Sequence, residues 1–194
     1  MQSKTMHYHP ALKYHWLTRF YDPFMGWVVH EKKFKKPLVN QANLMINQRI
    51  LDLGCGTGTL TRMVKQAQPD AEVIGLDADP EILTIARKKA KRKNLSMTFQ
   101  QGMSFELPYS DHSFDHVFSS LFFHHLTHEM KHKTLQEVFR ILRPGGEIHV
   151  IDFEPQEGYL SNLFHKERFK DIRPTGRYKI FKSNLQSYYA RKNV

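Results

Sequence analysis

An α/β fold with a mostly parallel sheet is predicted by three observations. From Arg49 onward, short apolar runs of strand length alternate with longer segments whose apolar residues recur at helical spacing. Residues 49–60, Arg-Ile-Leu-Asp-Leu-Gly-Cys-Gly-Thr-Gly-Thr-Leu, run from an apolar strand into a loop with glycine at every second position and then into a helix start. Asp77 lies about twenty residues past that loop, at the end of the next strand pattern. The glycines read G-x-G-x-G, so neither the G-x-G-x-x-G dinucleotide fingerprint nor the phosphate loop is present.

Length and composition bound the function classes. A chain of 194 residues suits one domain, with residues 1–46 as a helical cap or lid on it. Hydrophobic and charged contents of 40% and 25% describe a globular protein. No window approaches about 18 consecutive apolar residues, and residues 1–10 carry no apolar core of signal-peptide length. With Cys55 as its single cysteine the chain forms no internal disulfide, which fits a cytoplasmic location. A net charge of +10 favours an anionic partner without choosing among nucleic acid, lipid headgroups and an acidic substrate.

The elements follow in order. Residues 11–20 have helical spacing and stop at Asp22-Pro23, because proline disfavours helical geometry in the residue before it. Further helices are expected over 24–30 and 37–46, the latter with Pro37 in its first turn, where the missing N–H is harmless. Strands are expected at 49–53, 72–76, 97–100, 114–120 and 147–152. Between them lie helices at 59–67, from Asp79-Pro80 through the basic run 87–93 to a cap at Asn94, and from an N-cap at Thr127 to Pro144-Gly145-Gly146. A helix over 159–169 and two weaker extended stretches, 169–181 and 184–190, complete the chain. The last alternates poorly and is no clean amphipathic strand.

A nucleoside ligand at the edge of such a sheet needs backbone unobstructed by side chains and a rigid acceptor for its ribose hydroxyls. The glycine loop offers the first and Asp77 the second.

Four blocks then carry a resemblance: Ile-Leu-Asp-Leu-Gly-Cys-Gly-Thr-Gly at 50–58, Val-Ile-Gly-Leu-Asp-Ala-Asp at 73–79, Leu-Pro-Tyr-Ser-Asp-His-Ser-Phe-Asp at 107–115, and Glu-Val-Phe-Arg-Ile-Leu-Arg-Pro-Gly-Gly at 137–146. The chain resembles the class I S-adenosylmethionine-dependent methyltransferases, of the broad group that includes the ubiquinone/menaquinone-biosynthesis C-methyltransferases. The resemblance implies a doubly wound, seven-stranded, Rossmann-like sheet with its last strand antiparallel. It implies S-adenosyl-L-methionine as methyl donor and S-adenosyl-L-homocysteine as product. Gly54, Gly56 and their neighbours Cys55 and Thr57 would face the methionine moiety, with Asp52 supporting the loop or binding the amino group through water. Asp77, next to Ala78, would hold both ribose hydroxyls. Where the family commonly has Gly-Asp-Ala/Ser, this chain has Gly102-Met103-Ser104. Met103 is a very weak acceptor, so it would pack on the adenine while nearby backbone reads the ring edge.

The acceptor leaves less signature, because an activated methyl group needs mainly in-line positioning and an optional base. Candidates near the expected cleft are Ser119 and Ser120 at the end of the fourth strand, Ser119 also as a cofactor contact, then His124 and His125, plus Tyr21 from the lid; His125 and Tyr21 are the weak catalytic candidates. His124, His125, His128 and His132 have metal-like spacing, but only the last two share a helical face among charged neighbours, so no metal site is expected. The expected acceptor is a small molecule or a lipid or quinone-type compound. An RNA methyltransferase and a non-catalytic S-adenosylmethionine-binding scaffold are the alternatives. The basic segment 32–36 contains Phe34 and could touch a membrane surface peripherally, whereas 87–93 reads as a solvated face.

Overall fold

The computed structural model describes residues 31–154, 156–180 and 183–193. The expected helices over 11–20 and 24–30, and with them Tyr21 and most of the lid, lie outside the described residues.

The described chain runs α1 (Glu31–Asn40), β1 (Arg49–Leu53), α2 (Thr59–Ala67), β2 (Glu72–Asp77), α3 (Pro80–Arg92), β3 (Thr98–Gln101) and β4 (Phe114–Ser120). A short 3-10 turn (Phe123–His125) follows, then α4 (His128–Ile141), β5 (Leu142–Phe153), α5 (Tyr159–Lys166), β6 (Lys170–Ile180) and β7 (Ser183–Arg191). The strands form one seven-stranded sheet in the order β3-β2-β1-β4-β5-β7-β6. Strands β1 to β5 are mutually parallel, and β7 is antiparallel to both β5 and β6. This is the mostly parallel α/β sheet that the sequence predicts, doubly wound and with the antiparallel end that the resemblance implies. Its order reverses between β1 and β4, and in open α/β sheets ligands bind at the carboxyl ends of the strands at such a switch point.

Burial explains why these segments became strands. On one face Leu51, Leu53, Val117, Ile148 and Val150 pack with Leu135 and Val138 of α4 and Leu163 and Phe164 of α5. On the other, Ile50, Val73, Phe118 and Ile151 pack with Phe34 and Leu38 of α1 and Leu60 and Val64 of α2. The central strands are thus apolar toward both layers, as parallel strands must be when helices cover both sides.

Four expectations need correction or explanation. The helix expected over 37–46 is α1, whose interior contains Pro37; the chain has already left the helix by Gln41. Phe34 is buried among Leu38, Ile50 and Phe118, so the basic run 32–36 has no exposed aromatic for a base or a lipid. The last stretch failed the alternation test because β7 lies inside the sheet, and Leu185 to Ala190 are buried on both faces. The edge is β6, where Pro174 sits without breaking an inner ladder. The break expected at Pro144-Gly145-Gly146 is a bulge inside β5: pairing jumps from Phe114↔Leu142 to His116↔Glu147.

Among the described residues, no helix is long and apolar enough to cross a membrane.

Candidate functional site

The glycine loop leaves the carboxyl end of β1 and is held by the end of β2. Gly54 N and Cys55 N donate to Leu76 O at 2.9 and 3.0 Å, and Gly56 N donates to Asp77 Oδ2 at 2.9 Å. Gly54 has φ +69°, and an added Cβ there would lie 2.3 Å from the Phe122 ring. Gly56 has φ +53°, and a Cβ there would meet nothing within 4 Å. Gly54 therefore makes room for protein, and Gly56 keeps an open surface clear for a ligand.

Asp77 takes Gly56 N–H on Oδ2 and Asp79 N–H on Oδ1, at 2.9 and 3.0 Å. Each carboxylate oxygen retains acceptor capacity for a hydroxyl. Burial pushes its pKa up, with the two backbone N–H groups opposing that shift. Asp52 is deeply buried in β1 and accepts from Thr61 Oγ1 at 2.6 Å, which ties the strand to the first turn of α2. Burial raises its pKa from 3.8 to about 6 despite the Thr61 bond. A cationic ligand group nearby would relieve that penalty.

The other expected cofactor residues divide by what their side chains touch. Cys55 is buried behind the loop against Gly75, and burial holds its thiol pKa well above the ordinary value, so it is an inert packing group. Thr57 is buried and receives Lys89 Nζ at 3.3 Å. The carbonyl of Ala78 accepts from Gln101 Nε2 at 3.2 Å, and Gly102 N donates to Asp77 O at 3.1 Å, so the Gly102-Met103-Ser104 loop is docked beside Asp77. Met103 is exposed at the surface. Ser104 turns inward instead, its hydroxyl 2.8 Å from Thr134 Oγ1 of α4, so only its backbone is left for a ligand. Ser119 donates to Leu53 O at 3.1 Å and clamps the carboxyl ends of β4 and β1 together. Ser120 Oγ is buried and has no partner among the described residues, a polar atom left to be satisfied at the mouth of the switch point.

His124 and His125 are brought to the same end of the sheet in different roles. Their rings lie with centroids 3.9 Å apart and planes tilted by 44°. His124 Nδ1 lies 2.7 Å from Asp152 Oδ1, so Nδ1–H donates to the carboxylate and Nε2 is left as the basic nitrogen. Asp152 also accepts from the backbone N–H groups of Phe122 at 2.9 Å and Phe153 at 2.7 Å. Burial, reinforced by the neighbouring His124, pushes the His125 pKa down to about 4, which makes it a weak base. Of the two rings, His124 is the one oriented by a carboxylate, with Nε2 left unengaged by it. Its buried partner Asp152 went unsingled by sequence reasoning, although an acid closing the apolar run Ile-His-Val-Ile was a usable signal.

The rest of the histidine run separates from this pair. His128 and His132 lie on α4 with their Nε2 atoms 3.1 Å apart, and His132 Nδ1 pairs with Glu167 at 2.7 Å.

Residues 50–146 match the family model described as a methyltransferase domain. The chain is 34% identical over 142 residues to the demethylmenaquinone methyltransferase of Thermus thermophilus, covering 73% of this chain and 64% of that protein. It spans between about half and two thirds of the length of the curated relatives it matches. In structure it resembles phosphoethanolamine N-methyltransferase 2 of Haemonchus contortus, solved with S-adenosyl-L-methionine, with a TM-score of 0.79 at 16% identity over 100% of this chain and 62% of that one. It also resembles the [4+2]-cyclase SpnF, with a TM-score of 0.72 at 18% identity over 84% and 81% of the two chains. At such identities these likenesses speak of fold alone.

Proposed function

Because this chain belongs to the class I S-adenosylmethionine-dependent methyltransferases, we propose that it transfers a methyl group from S-adenosylmethionine to a quinone-type small-molecule or lipid acceptor in its reduced, hydroquinone form. The observation that carries the donor half is the open glycine loop, tied through Gly56 N–H to the same Asp77 carboxylate that can take ribose hydroxyls. The acceptor half is supported by its relatives, demethylmenaquinone methyltransferases from Thermus thermophilus and Deinococcus radiodurans among them.

The residues present fit the donor. Gly54 to Thr57 and Asp52 would hold its amino-acid end, Asp77 its ribose, and the backbone of 102–104 its adenine. When bound, S-adenosylmethionine supplies a methyl group already electrophilic on a sulfonium. Overall a ring C–H of the acceptor becomes C–CH3 and one proton leaves. The chain must therefore orient the ring and take a proton from its hydroxyl, which raises electron density at the ring carbon. Once the methyl is on carbon, the ring C–H proton is lost as the oxygen regains one, so a single proton leaves overall. His124 suits the second task, since Asp152 fixes its Nδ1–H and leaves Nε2 to accept.

Calorimetry with S-adenosylmethionine and S-adenosylhomocysteine, followed by turnover on short-chain naphthoquinols and benzoquinols, tests both halves. His124→Gln is expected to lower kcat by roughly 10²–10⁴-fold with donor affinity unchanged. Failure to bind either nucleoside sinks the donor assignment. Binding without turnover on any quinol points to the scaffold alternative, which Met103 favours. Methylation of RNA with steep salt dependence would replace the quinol acceptor.

A further inference from the structure

At the opposite end of the sheet from the glycine loop, three side chains converge that the methyl-transfer reading does not use. His116 enters from the start of β4, and Glu147 and His149 from β5, two residues apart and so on one face. Parallel register sets His116 beside Glu147 and Phe118 beside His149, which places all three on the side covered by α1. His116 Nδ1 lies 3.3 Å from His149 Nε2, and Glu147 Oε2 lies 3.5 Å from the first and 3.4 Å from the second.

These distances are long for hydrogen bonds, which cluster near 2.9–3.0 Å for N–H donors (~). They do match another figure. A tetrahedral zinc ion with ligand bonds of about 2.0–2.1 Å sets its ligand atoms roughly 3.3–3.4 Å apart. We propose that His116 Nδ1, Glu147 Oε2 and His149 Nε2 form a binding site for one divalent transition-metal ion of the zinc type.

The surroundings support that ligand set. Tyr189 Oη and Arg191 Nη2 both donate to Glu147 Oε1, at 3.0 and 3.2 Å, so the other oxygen, Oε2, is the one turned to the histidines. The side-chain amide of Gln41, just past α1, lies 3.1 Å from His149 Nδ1. The amide nitrogen, Gln41 Nε2, stands in that place; turned over by 180°, the amide presents its oxygen to Nδ1–H and leaves the imidazole Nε2 unprotonated, the usual second partner of a ligating imidazole. His116 and Glu147 also line a cavity of about 860 Å³, which gives the ion an open side for water as fourth ligand. Two neutral imidazoles and one carboxylate suit zinc better than the all-oxygen shell of magnesium or calcium. The ion would cross-link β4 to β5 without touching the donor site.

The test uses the full chain without a histidine tag, stripped with chelator and titrated calorimetrically with Zn²⁺ alone. Visible absorption of the Co²⁺-substituted protein reports the geometry. One equivalent per chain and tetrahedral Co²⁺ bands are expected. Glu147→Gln and His116→Gln should each weaken binding by more than the roughly 100-fold that marks loss of a supporting partner. Gln41→Ala, which leaves the three ligands in place, should weaken it about 10–100-fold and keeps the test decisive if the ligand variants misfold. Asp77→Ala should leave metal affinity unchanged. Zn²⁺ affinity unaltered by both Glu147→Gln and Gln41→Ala, or lost instead on replacing His128 and His132, overturns the proposal. So does the absence of any Zn²⁺ binding by the wild-type chain.

Discussion

Asp52 lies one residue before the end of β1 and Asp77 ends the neighbouring β2; the first is deeply buried and the second only partly. Asp77 is satisfied by two backbone donors, so its loss should act on the ligand and on the loop together. Asp77→Ala is expected to weaken S-adenosylmethionine binding by roughly 1–3 kcal/mol through unpaired ribose hydroxyls; unchanged affinity by calorimetry would mean that the nucleoside lies elsewhere. Asp52 has one short bond from Thr61 and a pKa of about 6, above the ordinary 3.8. The folded chain thus holds this proton more tightly than the unfolded one. The associated stability is fully present below pH 3.8 and is lost as the pH rises through 6. Asp52→Asn should therefore match the wild type in urea denaturation near pH 3.5 and exceed it by roughly 1–3 kcal/mol at pH 8. A gap that fails to widen with pH would contradict the burial penalty. Both aspartates were legible in the sequence because each closes or interrupts an apolar strand beside the glycine loop. The His124–Asp152 pair was half legible: the histidine stood out, but its orienting acid lies on another strand.

At the scale of elements, α4 shows how sequence punctuation becomes geometry. Thr127 caps its amino end by accepting from Met130 N at 3.2 Å. Its carboxyl end is closed by Lys192 from the far end of the chain, whose Nζ donates to Phe139 O at 2.6 Å and Leu142 O at 2.7 Å. A cation there also opposes the helix dipole. Thr127→Ala should lower stability by about 1 kcal/mol, and Lys192→Met by roughly 1–3 kcal/mol through orphaned carbonyls. The two losses should add in chemical denaturation, since the sites share no partner. The first cap was readable from local sequence. The second was not, because it joins residues about fifty positions apart, and nothing local marks Lys192 as different from the other lysines. The placement of β7 was obscured for a similar reason: its lack of alternation records burial by neighbours on both sides. Pro37 misled because proline is common in a first helical turn, whereas here the helix continues through it.

For the whole molecule, the fold was legible because four blocks recur in order, and the structure shows what two of them do. Arg140 donates to Glu137, Asp111 and the carbonyls of Tyr109 and Leu107, while Leu107 N donates to Glu137 Oε2 at 2.7 Å. The third and fourth blocks thus form one clamp that docks the loop before β4 onto α4, away from the nucleoside. The acceptor stayed illegible because positioning chemistry constrains few residue types. The His116–Glu147–His149 cluster was invisible because strand register, not sequence spacing, assembles it. Removal of residues 183–194 takes away β7 and leaves β5 with an open edge. That variant is expected to aggregate and to lose near-ultraviolet dichroism; a monomeric, well-packed product would show that the sheet does not need its inner antiparallel strand.

The same interior strand sets a clock on synthesis. A ribosome adding about 5–20 residues per second needs roughly 2–8 s to pass from the end of β5 to the end of β7. During that interval β5 has its hydrogen-bonding edge formed but unmatched. The nascent chain is then most exposed to mispairing and most in need of a chaperone, and faster translation of the forty or so codons between the ends of β5 and β7 would shorten the risk.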